Sequence, residues 1–170
     1  MNSGALDAHW VRTWAADVDA HLRTVLAAFD DYYPFPPGDN EVVLAGPERG
    51  AVDALRARPE IAADLVTFYE VVEEVIMSDI GNAFFVHAPE DVAARLAEGP
   101  VDVGAGTGVV FASNGGGILY AVGADGRVHR TLVASVDGGF EPVAGDLRGF
   151  LAHVRAAVAH FVETKDPGDL

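Results

Sequence analysis

The groups with the most chemistry in this chain are its histidines, a few serines, one glycine-rich run and a surplus of carboxylates. Each makes its own demand on its surroundings. Gly104-Ala105-Gly106-Thr107-Gly108 has the composition of a phosphate-cradling turn. A dinucleotide fingerprint needs a strand before that turn and a helix after it, so that the helix N-terminus meets the pyrophosphate. Here a loop precedes the run and an apolar strand, Val109 to Ser113, follows it, so the run is read as a loop. A phosphate loop also needs a lysine at its helix start, and the only lysine, Lys165, lies near the C-terminus.

Serine nucleophiles are presented on a sharp elbow, commonly Gly-x-Ser-x-Gly. Ser3, Ser78, Ser113 and Ser135 all lack that context, and Ser113 is expected to help cap the glycine turn after it. The absence of cysteine excludes disulfides, thiolate zinc sites and thiol nucleophiles together. His153 and His160 stand two helical turns apart, about 10 Å, too far to share an ion. His87 and Asp91 span a strand-to-helix turn and supply two ligands at most, and neither His-Glu-x-x-His nor a calcium loop occurs. No catalytic residue, metal site or cofactor is assigned.

The carboxylates remain. Twenty-six acidic against eleven basic residues leave a net charge of −15 with histidine neutral. A field of that sign repels phosphate backbones and anionic lipid heads, so nucleic acid and membrane surfaces are not expected partners, whereas a basic protein is attracted. The first residues lack the basic start and apolar run of a signal peptide, and no stretch approaches the roughly 18 apolar residues of a membrane span. A cytoplasmic protein is expected. Half of the 170 residues are hydrophobic, enough to bury a core and to exclude a wholly disordered chain.

These groups need elements to hold them. Leu6, Trp10, Trp14, Val18, Leu22, Val25 and Phe29 recur at helical spacing and predict an amphipathic helix over 5–29, with His21 inside its apolar stripe. Pro34, Pro36 and Pro37 end it, because they deny the backbone donors a helix needs. Tyr32, Tyr33 and Phe35 in this loop either fold down as a lid on the core or form a contact surface. Pro47 opens a short helix near 48–57. Pro59 opens a longer one, with Ile61, Leu65, Phe68, Tyr69, Val72, Val75 and Ile76 on one face. Glu70, Glu73 and Glu74 fall opposite, with no basic residue three or four positions away. That face is an unneutralised acidic surface or an ordinary solvated one.

Ala83–His87 reads as a short strand and residues 89–98 as a brief helix stopped by Gly99 and Pro100. From there the period changes to two. Val109–Ser113, Ile118–Gly123 and Arg127–Ser135 are expected strands, joined by Asn114-Gly115-Gly116-Gly117 and Ala124-Asp125-Gly126, whose residue types suit tight hairpins. Gly138-Gly139 is read as one more turn before Phe140–Val143, and Asp146 as the cap of a final helix reaching about Val162. The expected fold is α+β, an antiparallel meander packed with helices.

With that order in hand, Val110-Phe111-Ala112-Ser113-Asn114-Gly115-Gly116-Gly117-Ile118-Leu119-Tyr120-Ala121-Val122 resembles the central motif of the SUKH superfamily, the Smi/Knr-type domains. An apolar strand there ends in a glycine-rich turn, and the next strand carries an aromatic. Gly126-Arg127-Val128-His129-Arg130, Asp146-Leu147-Arg148-Gly149-Phe150-Leu151 and the upstream Ile80-Gly81-Asn82-Ala83-Phe84-Phe85-Val86-His87 extend the likeness over about residues 47–162. Val72-Glu73-Glu74-Val75 departs from it, lacking the Asp-Gly that often ends the family's proline-led helix. The resemblance implies a SUKH-like domain over 47–163, an additional N-terminal helix and proline-rich loop over 1–46 packed on it, and a polar tail over 164–170.

It also implies function. Many bacterial members are immunity proteins that bind and neutralise a cognate toxin, often a nuclease, and others are regulatory or scaffold modules; no catalytic residues carry over. A basic toxin is therefore the expected partner, met by Glu70, Glu73, Glu74 and Asp79 with Tyr32, Tyr33 and Phe35 as aromatic anchors. A metal-assisted hydrolase using His87 and Asp91 is the remaining alternative.

Overall fold

The computed structural model describes residues 4–166 and 168. The first helix, α1 (Ala8–Ala27), starts where the Asp7 carboxylate accepts the Trp10 N–H at 2.9 Å, satisfying one of the donors every helix start leaves free. Trp14, Val18, Leu22 and Val25 of the expected stripe are buried, together with Val11 and Ala15, whereas Trp10 is only partly buried. A short α2 (Phe29–Tyr32) follows and gives way to the proline-rich loop. At the other end of the chain α6 (Leu147–Thr164) is capped by Asp146, whose side chain accepts the Gly149 N–H at 2.7 Å. The two long helices lie against each other. The buried Trp14 indole donates to the Leu151 carbonyl at 2.6 Å, so a polar atom deep in the helical layer keeps its bond.

Between them the chain forms a mixed α+β fold around one eight-stranded antiparallel sheet. The strands are β1 (Asn40–Leu44), β2 (Val72–Met77), β3 (Phe84–Val86), β4 (Val101–Asp102), β5 (Thr107–Asn114), β6 (Leu119–Gly123), β7 (Val128–Val133) and β8 (Ser135–Ala144). They lie in the order β1-β2-β3-β5-β6-β7-β8, and β4 pairs with the start of β5 on the edge whose other end holds β3. Three short helices, α3 (Gly50–Arg56), α4 (Ala63–Tyr69) and α5 (Pro89–Ala97), fill the connections. No helix is long and apolar enough to cross a membrane among the described residues.

Alternation decides what each strand buries. Val75 and Met77 of β2, Phe84 and Val86 of β3, and Tyr120 and Val122 of β6 enter the main core beneath α1 and α6. Phe150 of α6 seats there against Phe84, Phe111 and Tyr120 at ring distances of 5.2–6.2 Å. Across the sheet, Val103, Val110 and Ala121 form a smaller cluster with Val101, Leu119 and Phe140.

Three expectations are corrected. Residues 59–76 are two elements: α4 ends at Tyr69, and Val72–Met77 is a strand. Val71, Val72, Val75 and Ile76 are β-branched, and such residues pack better on a pleated surface than on a helix. Second, β1 lies inside the segment expected to be only helix and loop. Third, Gly138 and Gly139 lie within β8, where the register with β7 shifts and Gly139 takes φ +86°; the reversal is instead at Ala134, between paired Val133 and Ser135.

Candidate functional site

The second strand carries two of the acidic side chains singled out by charge, Glu73 and Glu74, now set in a sheet. Val75 and Met77 point to the helices, so Glu74 and Ile76 point to the opposite face. Pairing with β1 passes from Val43↔Glu74 to Leu44↔Val72, which leaves Glu73 as the extra residue of a bulge. Glu41 of β1, paired with Ile76, joins the same face, and Glu90 and Asp91 stand in the first turn of α5. The Glu74 carboxyl is pushed above the ordinary range by partial burial first and then by Asp91, Glu73 and Glu41. Among the described residues none of these five carboxylates has an ion-pair partner.

His87 closes this face at the end of β3. Its Nε2 lies 2.8 Å from the Ser113 hydroxyl, and its Nδ1 is buried without a partner. Burial first, and the nearby Arg95 second, lower its pKa against the opposing pull of Asp91, which favours the neutral ring. The buried Tyr69 hydroxyl donates to the His87 carbonyl at 2.6 Å, and burial followed by Asp91 and Glu90 pushes that phenol strongly up. Ser113 therefore holds His87 and does not cap the glycine turn as expected. Asn114 caps it, its Oδ1 accepting the Gly116 and Ile118 N–H groups at 2.9 and 3.0 Å.

A serine bonded to a histidine is two-thirds of a hydrolytic triad, and the geometry stops there. No carboxylate orients Nδ1. The amides that could form an oxyanion hole are engaged: Gly115 N–H with the Asn82 carbonyl, Gly116 N–H with Asn114 Oδ1 and Gly117 N–H with the Asn114 carbonyl. Among the described residues, no group of three histidine or carboxylate side chains could hold a metal.

No model of a known protein family and no curated protein matches the chain. Its functional reading therefore rests on the geometry of the face itself.

The other residues expected at the site are dispersed. Glu70, expected to be unneutralised, forms an ion pair with Arg56, fourteen positions earlier, and its carbonyl accepts from Arg49 at 3.1 Å. Asp79 lies beyond the far end of β2. Its carboxylate accepts the Gly38 N–H at 2.9 Å and the Asn40 amide at 2.7 Å, pinning the proline-rich loop. Tyr32 stacks on Phe161 with ring centroids 5.7 Å apart and donates to the Val162 carbonyl. Tyr33 packs between Phe29 and Phe35 and donates to the Asp79 carbonyl, and only Phe35 is left half exposed. Of the two readings of this loop, the lid is the one its bonds fit.

The structure thus keeps Glu73 and Glu74 together, moves Tyr32, Tyr33, Phe35 and Asp79 to the other end of the strand, and adds Glu41, Glu90 and Asp91. The added acids carried a faint signal. Glu90 and Asp91 follow Pro89 at a helix start, where carboxylates suit the macrodipole, and Glu41 sits in a strand too short to show a period.

Proposed function

We propose that this chain is a non-enzymatic protein-binding domain, an immunity protein of the SUKH kind, which neutralises a basic toxin in the cytoplasm. Its contact surface is the face of Glu41, Glu73, Glu74, Glu90 and Asp91. One observation carries the reading: on this surface Asp91, Glu73 and Glu41 crowd Glu74, and among the described residues none of the five carboxylates is in an ion pair, with Arg95 beside His87 and Asp91 at its edge. Glu74 is held there at a cost to its ionised form, which a partner's arginine or lysine would relieve. A nuclease toxin must present basic residues to phosphate, and a clustered anionic face competes for them. Steering by the net charge of −15 speeds the encounter most at low salt.

The test is growth protection on co-expression with the toxin domain encoded beside this gene. Wild-type protein is expected to protect, and a folded Glu73→Lys/Glu74→Lys variant is expected not to. Protection by the variant would remove the acidic face from the mechanism. Failure of the wild type to protect against any adjoining effector would favour a regulatory or scaffold module.

A further inference from the structure

We infer that the groove between α1 and β1 docks an extended, acidic segment of a partner protein, which adds to the sheet as a further strand. Among the described residues, only one side of β1 is paired. The Asp39 carbonyl accepts the Ser78 N–H, and the Ala45 N–H donates to the Val71 carbonyl. Antiparallel strands alternate their bonding direction, so Glu41 and Val43 turn their backbone groups toward β2, while Val42 and Leu44 turn theirs outward. Those outward N–H and C=O groups border a groove of about 710 Å³ whose lining includes the small side chains Ala15, Ala16 and Ala45. Small residues beside a free edge leave room for another backbone.

The two edges of the sheet differ in how they resist such pairing. The β8 edge carries Pro142, which has no N–H, together with Asp137, Glu141 and the Gly139 bulge. These are the usual guards against strand addition. The β1 edge has no proline and no lysine, and Leu44 on it is 60 % exposed.

Charge selects the occupant. Arg12 and Arg49 line the groove, and among the described residues neither pairs with a carboxylate side chain; Arg49 reaches only the Glu70 carbonyl. The acids of the groove are already committed or turned aside. Asp19 holds Arg23 at 2.6 Å, Glu70 holds Arg56, and Glu41 lies on the acidic face. Two unmatched guanidinium groups in so acidic a chain fit a strand that brings its own carboxylates, with main-chain bonds supplying affinity and the arginines supplying selection.

The inference is independent of the acidic face and is tested without the toxin. Blocked heptapeptides alternating valine with aspartate, or valine with lysine, are titrated into isotopically labelled protein while amide shifts are followed. The aspartate peptide is expected to shift the amides of Val42, Leu44 and the α1 residues 12–23, and the lysine peptide is not. Arg12→Glu/Arg49→Glu is expected to weaken the aspartate peptide roughly tenfold or more. Val42→Pro, which removes an outward N–H without touching a bond to β2, is expected to abolish the response. Equal binding of both peptides, shifts confined to other surfaces, or no shift at all would overturn the inference. So would sedimentation showing a concentration-dependent dimer in which a second copy covers β1.

Discussion

The Tyr33 hydroxyl donates to the Asp79 main-chain oxygen at 2.6 Å, tying the proline-rich loop to the turn after β2. Forty-six positions separate the two residues, and the bond gives Tyr33 a structural task. Burial and the adjacent Asp79 raise its phenol pKa, so it remains a donor at neutral pH. Tyr33→Phe is expected to lower stability by about 0.5–1.5 kcal/mol, the usual net worth of one such bond. Partner affinity should not change. Urea unfolding beside a binding titration checks both halves.

Glu74 gives a prediction with opposed signs. Its pKa is raised on folding, so the native state binds more protons than the unfolded chain across that interval. Stability contributed by this group is therefore present at low pH and lost as pH rises through the folded value. Glu74→Gln is expected to stabilise the protein at neutral pH, with the gain vanishing in acid, while weakening association with a basic partner. Denaturation midpoints across pH, set beside affinities, would show both.

Much of this architecture is legible in the residues. The long apolar stripe over 5–29 and the one that Asp146 caps, to about Val162, read as helices, and Asn114–Gly117 and Asp125-Gly126 read as hairpins because their turn chemistry is local. The strand Val72–Met77 was hidden because Leu65, Phe68, Tyr69, Val72, Val75 and Ile76 also fit a helical period, and the break after Tyr69 has neither proline nor glycine to mark it. The chemistry of the acidic face was half visible. Glu73 and Glu74 stand out by charge alone, but the cation beside Glu70 comes from Arg56 in another helix, and Glu41 and Asp91 join only through tertiary packing. Long-range pairing leaves no trace in spacing.

Gly115 tests the turn. Its N–H donates to the Asn82 carbonyl at 2.8 Å, and a Cβ at this position would collide with the same oxygen. Backbone cannot yield as a side chain tip does. Gly115→Ala is expected to cost about 1–3 kcal/mol. Gly126→Ala meets no atom but is strained by its φ of +86°, and it is expected to cost about 1 kcal/mol. Thermal unfolding of the two variants would rank them.

His87 sets an acid limit. Its pKa is lowered on folding, so below about pH 6.5 the unfolded chain binds the proton more readily, and stability falls as pH drops through that window. His87→Gln is expected to flatten this part of the stability profile. Ser113→Ala leaves Nε2 without its partner and is expected to cost about 1 kcal/mol at neutral pH. Chemical denaturation at a series of pH values distinguishes the two effects.

The most direct measurement is calorimetric titration of purified protein with the toxin domain encoded beside it, at about 0.05 M and about 0.5 M salt. Wild-type protein is predicted to bind tightly at low salt and markedly more weakly at high salt, with Glu73→Lys/Glu74→Lys losing binding at both. No association, or association indifferent both to salt and to reversal of these two charges, would contradict a recognition surface made of Glu41, Glu73, Glu74, Glu90 and Asp91.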